Sequence, residues 1–352
     1  MPVMRTNNPI FIVGSPRSGT SILSWCLGQH SNIFVQEESN WIGSFALQIE
    51  IAYSGGTARG ERSQLSALGI ERADFFRAFG RSINDLILNH RERIETNIQT
   101  RMARAPAEKT EPSAFKISRM ACDPKTRWVD GTPEYSFYVN PLRKLFPGAR
   151  FIHVVRDVRS VVRSMINFQR TGGPALVENE EQAYDYWLRT VRASYLAERA
   201  YGSAVVCRIQ HADLIAEPKQ SIERLLAFLS ENFEASCLEP LRERINSSNV
   251  PDDFDSSDPG TNPEVIAAAE QLSAEIMNNA PPLTPDSAAE EELEIAFQKH
   301  VTHLAALESN DERARRRIAE LERQIDSLKA QMPEAVGIPD PNAGTTIPPE
   351  SC

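Results

Sequence analysis

An apolar run at residues 9–13, PIFIV, leads directly into a glycine-rich loop at residues 14–21, GSPRSGTS. The run is rich in β-branched residues and ends at Gly14, a pattern typical of a short buried strand. The apolar residues that follow predict an amphipathic helix ending near Gly28 or His30, with Ile22, Leu23, Cys26 and Leu27 on its apolar face. A strand, a loop with four residues between two glycines, and a helix are the local context of a phosphate-binding P-loop.

Further strands and helices alternate along the chain. Short apolar runs predict strands at residues 32–36, 150–155 and 204–209. An amphipathic helix capped by Asp157 is expected after the second of these runs, and another at residues 218–233. Strands that alternate with helices indicate a mostly parallel sheet flanked by helices, so the predicted fold class is α/β of the P-loop type.

Composition predicts how the chain is divided. Residues 1–250 are predicted to form a catalytic domain, in which residues 41–115 lack strand-like alternation and are expected to be a helical insertion or lid. Residues 251–300 contain acidic, turn-rich stretches and are predicted to be a linker with helices. A helical, coiled-coil-like segment at 301–333 and a proline-rich, disordered tail at 334–352 are expected to follow.

The C-terminal helical segment has a heptad pattern. Its apolar residues recur at alternating intervals of three and four: Ile318, Leu321, Ile325, Leu328 and Met332. The pattern covers only two to three heptads, fewer than the three to four that typically identify a coiled coil. The sequence therefore predicts a short coiled-coil extension and leaves two arrangements open: a homodimer through residues 314–332, or a monomeric tail that lies on its own catalytic domain.

Charge and composition limit the partners. The net charge of −10 argues against a nucleic-acid partner, and it implies that any anionic ligand is bound by a local group of cations. The five cysteines are scattered without a Cys-x-x-Cys pair, which predicts a reducing compartment and no metal site. No stretch approaches the roughly 18 apolar residues of a membrane span, and the N-terminus does not resemble a signal peptide. We expect a cytoplasmic protein.

The loop differs from that of nucleotide triphosphatases. Thr20 follows Gly19, where those enzymes have a lysine, and the only cation of the loop is Arg17. Backbone N–H groups at the start of the helix can still bind a phosphate. The planar, forked donors of Arg17 are suited to one further anionic group. These residues predict an anion site and leave the identity of the anion open.

The loop resembles the 5′-phosphosulfate loop of the sulfotransferases, in the Pro-Arg-Ser-Gly-Thr form of tyrosylprotein and many bacterial members. The stretch VVRDVRSVVRS at residues 154–164 is similar to that family's 3′-phosphate site, with Arg156 and Ser164 eight residues apart. The resemblance implies 3′-phosphoadenosine 5′-phosphosulfate (PAPS) as donor and adenosine 3′,5′-bisphosphate as product. It assigns donor contacts to Ser15, Pro16, Arg17, Ser18, Gly19, Thr20, Ser21, Arg156, Ser164 and His211.

The same resemblance implies a catalytic base. The stretch VQEESNW at residues 35–41 lies where tyrosylprotein sulfotransferases have Glu-Glu-Thr-Arg, which places the base at Glu38, with Glu37 as the alternative. A carboxylate in a closed site can have its pKa raised towards neutrality, as a base requires. Arg17 and the loop are expected to stabilise the transferred charge.

The sequence also departs from the family pattern. Gly131 stands where many members have the lysine of a Lys-Thr-Pro motif. Either Arg17 suffices as the cation, or Lys116, Lys125 or Arg127 replaces the missing lysine.

Adenine binding and the acceptor are less defined. His211 stands where the family usually has a tyrosine. Trp187 is a second candidate to stack on adenine, although packing in the core is the more common role for such a residue. The resemblance implies an acceptor hydroxyl and leaves open whether it belongs to a carbohydrate, a lipid, a phenol or a tyrosine. Two alternatives stay open: a nucleotide kinase-like enzyme, which requires a loop lysine and a magnesium-binding aspartate, or a non-catalytic nucleotide-binding scaffold that uses the heptad tail.

Overall fold

A computed structural model of the chain describes residues 8–104, 125–170, 176–242, 250–251 and 254–331. Within these residues, five parallel strands form one sheet in the order β2-β3-β1-β4-β5. The strands are β1 (Ile10–Gly14), β2 (Ile33–Val35), β3 (Arg127–Asp130), β4 (Arg150–Val155) and β5 (Val206–Gln210). The predicted α/β fold with a mostly parallel sheet is confirmed.

Helices connect and follow the strands. Their bounds are α1 (Thr20–Gly28), α2 (Trp41–Thr57), α3 (Gln64–Ala67), α4 (Arg72–Arg104), α5 (Val139–Leu145), α6 (Val158–Arg170), α7 (Glu180–Tyr201), α8 (His211–Ala216), α9 (Pro218–Phe228), α10 (Glu239–Arg242), α11 (Pro263–Asn278) and α12 (Ser287–Gln331). Short 3₁₀ helices lie at Gly60–Arg62, Pro133–Tyr138 and Ala235–Leu238. The segment predicted to be a helical insertion contains α2, α3 and α4, and its residues 105–115 lie outside the described residues, as does the predicted tail at 334–352.

Strand β1 is buried on both faces. Ile10 and Ile12 pack into an apolar cluster with Leu23 of α1 and further residues of α9. Phe11 alternates to the other face, where its ring lies edge-on to Trp128 at 5.4 Å between centroids. Because β1 pairs with β3 on one side and β4 on the other, it is the central strand, and the glycine-rich loop begins where it ends.

A buried ionic group joins α7 and α11 to the sheet. Glu198 of α7 contacts His153 Nδ1 at 2.5 Å and forms hydrogen bonds with Arg208. Burial alone would raise the pKa of Glu198, but the charge of His153 and hydrogen bonds from His153 and Arg208 hold it below its usual range. Arg208 also donates to the carbonyl oxygens of Ile276 and Asn279, at 2.6 and 2.7 Å, at the end of α11.

The contacts divide the chain into two units, Met1–Val301 and Thr302–Cys352. The first unit includes α11 and the beginning of α12, whose buried side chains include Ala269, Ile276 and Phe297. In the second unit, residues 302–331 are helical. Among the described residues, no helix has the length and apolar character needed to cross a bilayer.

Candidate active site

The glycine-rich loop forms a tight turn between β1 and α1. Ser18 donates from its backbone N–H and its hydroxyl to the carbonyl oxygen of Ser15, at 3.1 and 2.6 Å. Gly19 has φ 108°, and a Cβ there would lie 2.7 Å from Cδ2 of His211. No described side chain caps the N-terminus of α1. The first N–H groups of that helix are therefore available to an anion held in the loop.

Arg17 connects the two motifs that sequence analysis singled out. Its backbone is left-handed, with φ 67°, a strained conformation of the kind that concentrates at functional sites. Its Nε donates to Ser164 Oγ at 3.2 Å, and its guanidinium lies 4.3 Å from the centroid of the Phe168 ring. Arg156 Nη1 donates to the carbonyl oxygen of Arg17 at 3.0 Å. The structure thus brings Arg17, Arg156 and Ser164 together at one end of the sheet.

Arg156 and His211 lie at the ends of neighbouring strands. Both side chains are half-buried, and burial lowers the pKa of each. For His211, burial and then the charge of Arg156 lower the pKa to about 4. His211 is therefore neutral at pH 7, so its ring can stack or hydrogen-bond but does not add positive charge.

Glu38 faces the first turn of α1. Ser21 Oγ donates to Glu38 Oε1 at 3.3 Å, and the side chains of Glu37 and Glu38 are both exposed at the surface. Glu38 lies at the mouth of the cleft, where the surrounding protein partly desolvates it. This desolvation, followed by the negative charges of Glu134 and Asp130, raises its pKa to about 7 despite the hydrogen bond from Ser21. At neutral pH, Glu38 therefore exchanges readily between its base and acid forms.

A hydrogen-bond network fixes the segment that contains Glu38. The Ser39 hydroxyl donates to Asp130 Oδ2 at 2.6 Å and lies 2.6 Å from the Tyr135 hydroxyl. The Ser39 N–H donates to Thr132 Oγ1 at 2.9 Å. Asp130 is fully buried at the end of β3, and these contacts tie the segment after β2 to the neighbouring strand.

Glu134 adds a second carboxylate beside the candidate base. It follows Pro133 at the start of a 3₁₀ helix and accepts a 2.6 Å hydrogen bond from the Tyr186 hydroxyl. Burial, this hydrogen bond and the charge of Glu134 raise the pKa of Tyr186, so the phenol stays protonated as a donor. Tyr186 thereby holds Glu134 in the same cleft as Glu38.

Two of the cations proposed to replace the missing lysine lie elsewhere. Lys125 Nζ donates to the carbonyl oxygens of three residues at the end of α1 and the start of β2: Gly28, His30 and Ile33. Arg127 donates to the Leu229 carbonyl oxygen and pairs with Glu231. Both cations lie at the beginning of β3, whereas the loop lies beyond the opposite ends of the strands. Of the alternatives left open, Lys125 and Arg127 therefore do not replace the missing lysine, and Lys116 lies outside the described residues.

The positions of Gly131 and Trp187 are both explained by packing. A Cβ at Gly131 would lie 2.2 Å from Ser24 Oγ, so α1 packs directly on the backbone where the family's lysine would stand. Trp187 is fully buried in the apolar cluster formed by α6, α7 and α11. Of the two roles considered for Trp187, the structure supports packing in the core, so its ring does not stack on adenine.

Sequence reasoning missed four residues of this cleft. Phe168 follows Ser164 by four positions on α6, and this helical spacing could have placed both on one face. Ser39, Glu134 and Tyr186 had no comparable signal, because each acts through a partner on another element.

Comparison with known proteins identifies the class. The model of the Sulfotransferase family matches residues 9–235, which include the loop, Glu38, Arg156 and Ser164. The chain belongs to the sulfotransferase family.

Relatives with curated descriptions match a similar length of the chain. A putative protein-tyrosine sulfotransferase of Caenorhabditis briggsae is 22% identical over 230 residues, covering 65% of this chain and 68% of the relative. Protein-tyrosine sulfotransferase 2 of Gallus gallus is 24% identical over 229 residues, covering 65% of this chain and 53% of the relative. The match thus spans about half of the chicken protein.

Solved structures also resemble this chain. The sulfotransferase domain of the Synechococcus PCC 7002 olefin synthase has a TM-score of 0.40 and 18% identity, covering 84% of this chain and 97% of that domain. A Mycobacterium avium sulfotransferase has a TM-score of 0.40 and 16% identity, covering 81% of this chain and 79% of that one.

Proposed function

We propose that this chain transfers a sulfuryl group from PAPS to an acceptor hydroxyl. The observation that carries the proposal is the contact of Arg17 with both Ser164 and Arg156, which joins two anion-binding motifs in one cleft. PAPS carries one phosphate next to its sulfuryl group and another on the ribose. The donor set fits both, since the N–H groups of the loop suit the first phosphate, while Arg156 and the Ser164 hydroxyl suit the second.

Glu38 is the proposed base. It takes the proton of the acceptor hydroxyl as the acceptor oxygen forms a bond to sulfur and the bond from sulfur to the phosphate oxygen breaks. The electron pair of that bond stays on the phosphate oxygen, giving adenosine 3′,5′-bisphosphate. Arg17 and the N–H groups of the loop are the proposed donors to this developing charge, and such preorganised donors are a large part of catalysis.

Calorimetric titration tests the donor. We expect adenosine 3′,5′-bisphosphate to bind in EDTA more tightly than 5′-AMP or magnesium-ATP, and Arg156→Ala to abolish that preference. Arg159→Ala is the matched control, since Arg159 lies three residues further on α6, is exposed and pairs with Glu270. A preference for magnesium-ATP would refute the proposal in favour of a kinase-like protein.

A second variant separates chemistry from binding. Glu38→Gln is expected to bind the bisphosphate like the wild type and to lose sulfuryl transfer. Loss of binding in this variant would instead make Glu38 a structural residue.

Three further predictions accompany this function. A cytoplasmic location stays a prediction. The absence of a nucleic-acid partner also stays a prediction, supported by the net charge of −10. The homodimer predicted through residues 314–332 is supported by exposed apolar side chains in the described part of that segment.

A further inference from the structure

The heptad segment at the end of α12 exposes one apolar stripe. Ile318, Leu321, Ile325 and Leu328 are 55%, 41%, 50% and 62% exposed. Their spacing of three, four and three residues places them along one side of the helix. A stripe of this kind is typical of the seam of a coiled coil, and the residues themselves indicate what covers it.

The apolar residue types favour two parallel strands. With Ile318 and Ile325 at the a positions, Leu321 and Leu328 fall at the d positions. Isoleucine at a with leucine at d favours a parallel dimer, because the β-branched side chain packs best in the a layers of such a dimer and leucine packs best in the d layers. Asp311 occupies the preceding a position, where two facing carboxylates would repel each other, so the seam begins after it.

The charged residues beside the seam also favour the parallel orientation. In a parallel pair, Arg317 at position g faces Glu322 of the partner subunit at position e. The two-fold symmetry of the dimer repeats this contact, so the attraction occurs twice. In the antiparallel register that opposes Ile318 to Leu328, Glu322 would face Glu322 of the partner subunit. Arg315 would also face Lys329 of the partner subunit, twice. The antiparallel arrangement therefore has only repulsion between these charged pairs.

Arg317 is able to change partners. Within one helix, its Nη1 lies 2.7 Å from Glu320 Oε2, and both side chains are more than half exposed. Exposed ion pairs of this kind contribute little stability. Arg317 can therefore leave Glu320 and pair with Glu322 of the partner subunit at little cost in free energy.

We propose that residues 314–331 form a parallel, in-register, two-stranded coiled coil with a second copy of this chain. The occupant of the apolar stripe is the same stripe on the second copy. The attraction between Arg317 and Glu322 of the partner subunit determines that the two helices are parallel and that the partner is a second copy of this chain.

Charge exchange tests the partner. Sedimentation equilibrium of the full chain should show a monomer–dimer equilibrium, which Arg317→Glu or Glu322→Arg weakens by about tenfold through two repulsive pairs. The double variant, and an equimolar mixture of the two single variants, should both recover wild-type association. Arg316→Glu is the matched control, since it breaks a similar intrahelical pair, with Glu312, on the outer side of the helix.

Crosslinking tests the orientation. A Leu328→Cys chain, oxidised with copper phenanthroline, should form a disulfide-linked dimer above the level of the parent chain, because a parallel seam places this position beside itself. If crosslinking instead required a mixture of Ile318→Cys and Leu328→Cys chains, the orientation would be antiparallel and the proposal wrong. A wild-type chain that stays monomeric at all concentrations, or single variants that associate like the wild type, would also overturn it. Circular dichroism checks that every variant retains its helical content.

Discussion

Glu38 is expected to titrate near pH 7 rather than in the ordinary range of glutamate. With a pKa of about 7, about one Glu38 in eleven is ionised at pH 6 and about ten in eleven at pH 8. An ordinary glutamate is about 98% ionised at pH 6. Because the base must be deprotonated to act, sulfuryl transfer should be present above pH 7 and fall about tenfold per pH unit below it.

Carbon NMR of the protein labelled at the glutamate carboxyl carbon measures this titration without an acceptor. The signal that disappears in Glu38→Gln belongs to Glu38, and its midpoint should lie near 7. Glu37→Gln is the matched control, since it removes the neighbouring carboxylate of the same chain segment and should leave the Glu38 signal in place. A midpoint in the ordinary range near 4 would show that the cleft does not desolvate Glu38 as argued.

Glu134→Gln tests why the pKa is raised. Desolvation is the main cause and the charge of Glu134 is the next, so removing that charge should move the Glu38 midpoint to lower pH. Tyr186→Phe keeps the carboxylate but removes the hydrogen bond that positions it. If the midpoint is the same in Glu134→Gln as in the wild type, Glu134 has no influence on the base.

Other consequences can be measured separately. Gly19→Ala should lower the melting temperature and the affinity for adenosine 3′,5′-bisphosphate, because its φ of 108° is strained for alanine and the new Cβ would lie 2.7 Å from the His211 ring. Arg208→Met should destabilise the fold by about 3–5 kcal/mol in urea titrations, because it leaves the buried Glu198 without its guanidinium partner. Ser39→Ala should cost about 1–3 kcal/mol, since a buried carboxylate loses a hydroxyl donor. A loss of less than 0.5 kcal/mol in either urea titration would contradict the corresponding contact.

The parts of the site that sequence could predict are those with local signals. The loop is recognisable because a strand, two glycines and a helix follow one another within a short stretch. Arg156 and Ser164 are recognisable because the end of β4 and the spacing along α6 fix where both residues lie. Asp157 was expected to cap α6, and its Oδ1 accepts from the Ser160 N–H at 2.9 Å.

The remaining parts depend on contacts between distant segments. The network at Ser39 joins the segment after β2 to residues more than 90 positions away. Lys125 and Arg127 were candidates to replace the missing lysine because the sequence shows their charge. It does not show that they lie at the beginning of β3, away from the loop. Each finds carbonyl oxygens or a carboxylate that satisfy it far from the loop.

The absence of the family's lysine is built into the packing of this chain. The backbone at Gly131 contacts α1 so closely that a Cβ would lie 2.2 Å from Ser24 Oγ, and that hydroxyl in turn donates to the Thr20 carbonyl oxygen at 3.1 Å. A lysine at this position would therefore displace Ser24 in the first turns of the helix that follows the loop. Arg17 is instead held in the loop by Ser164 on one side and the face of Phe168 on the other. A guanidinium positioned by two residues of α6 can supply, from within the loop, the cation that a lysine just after β3 would supply.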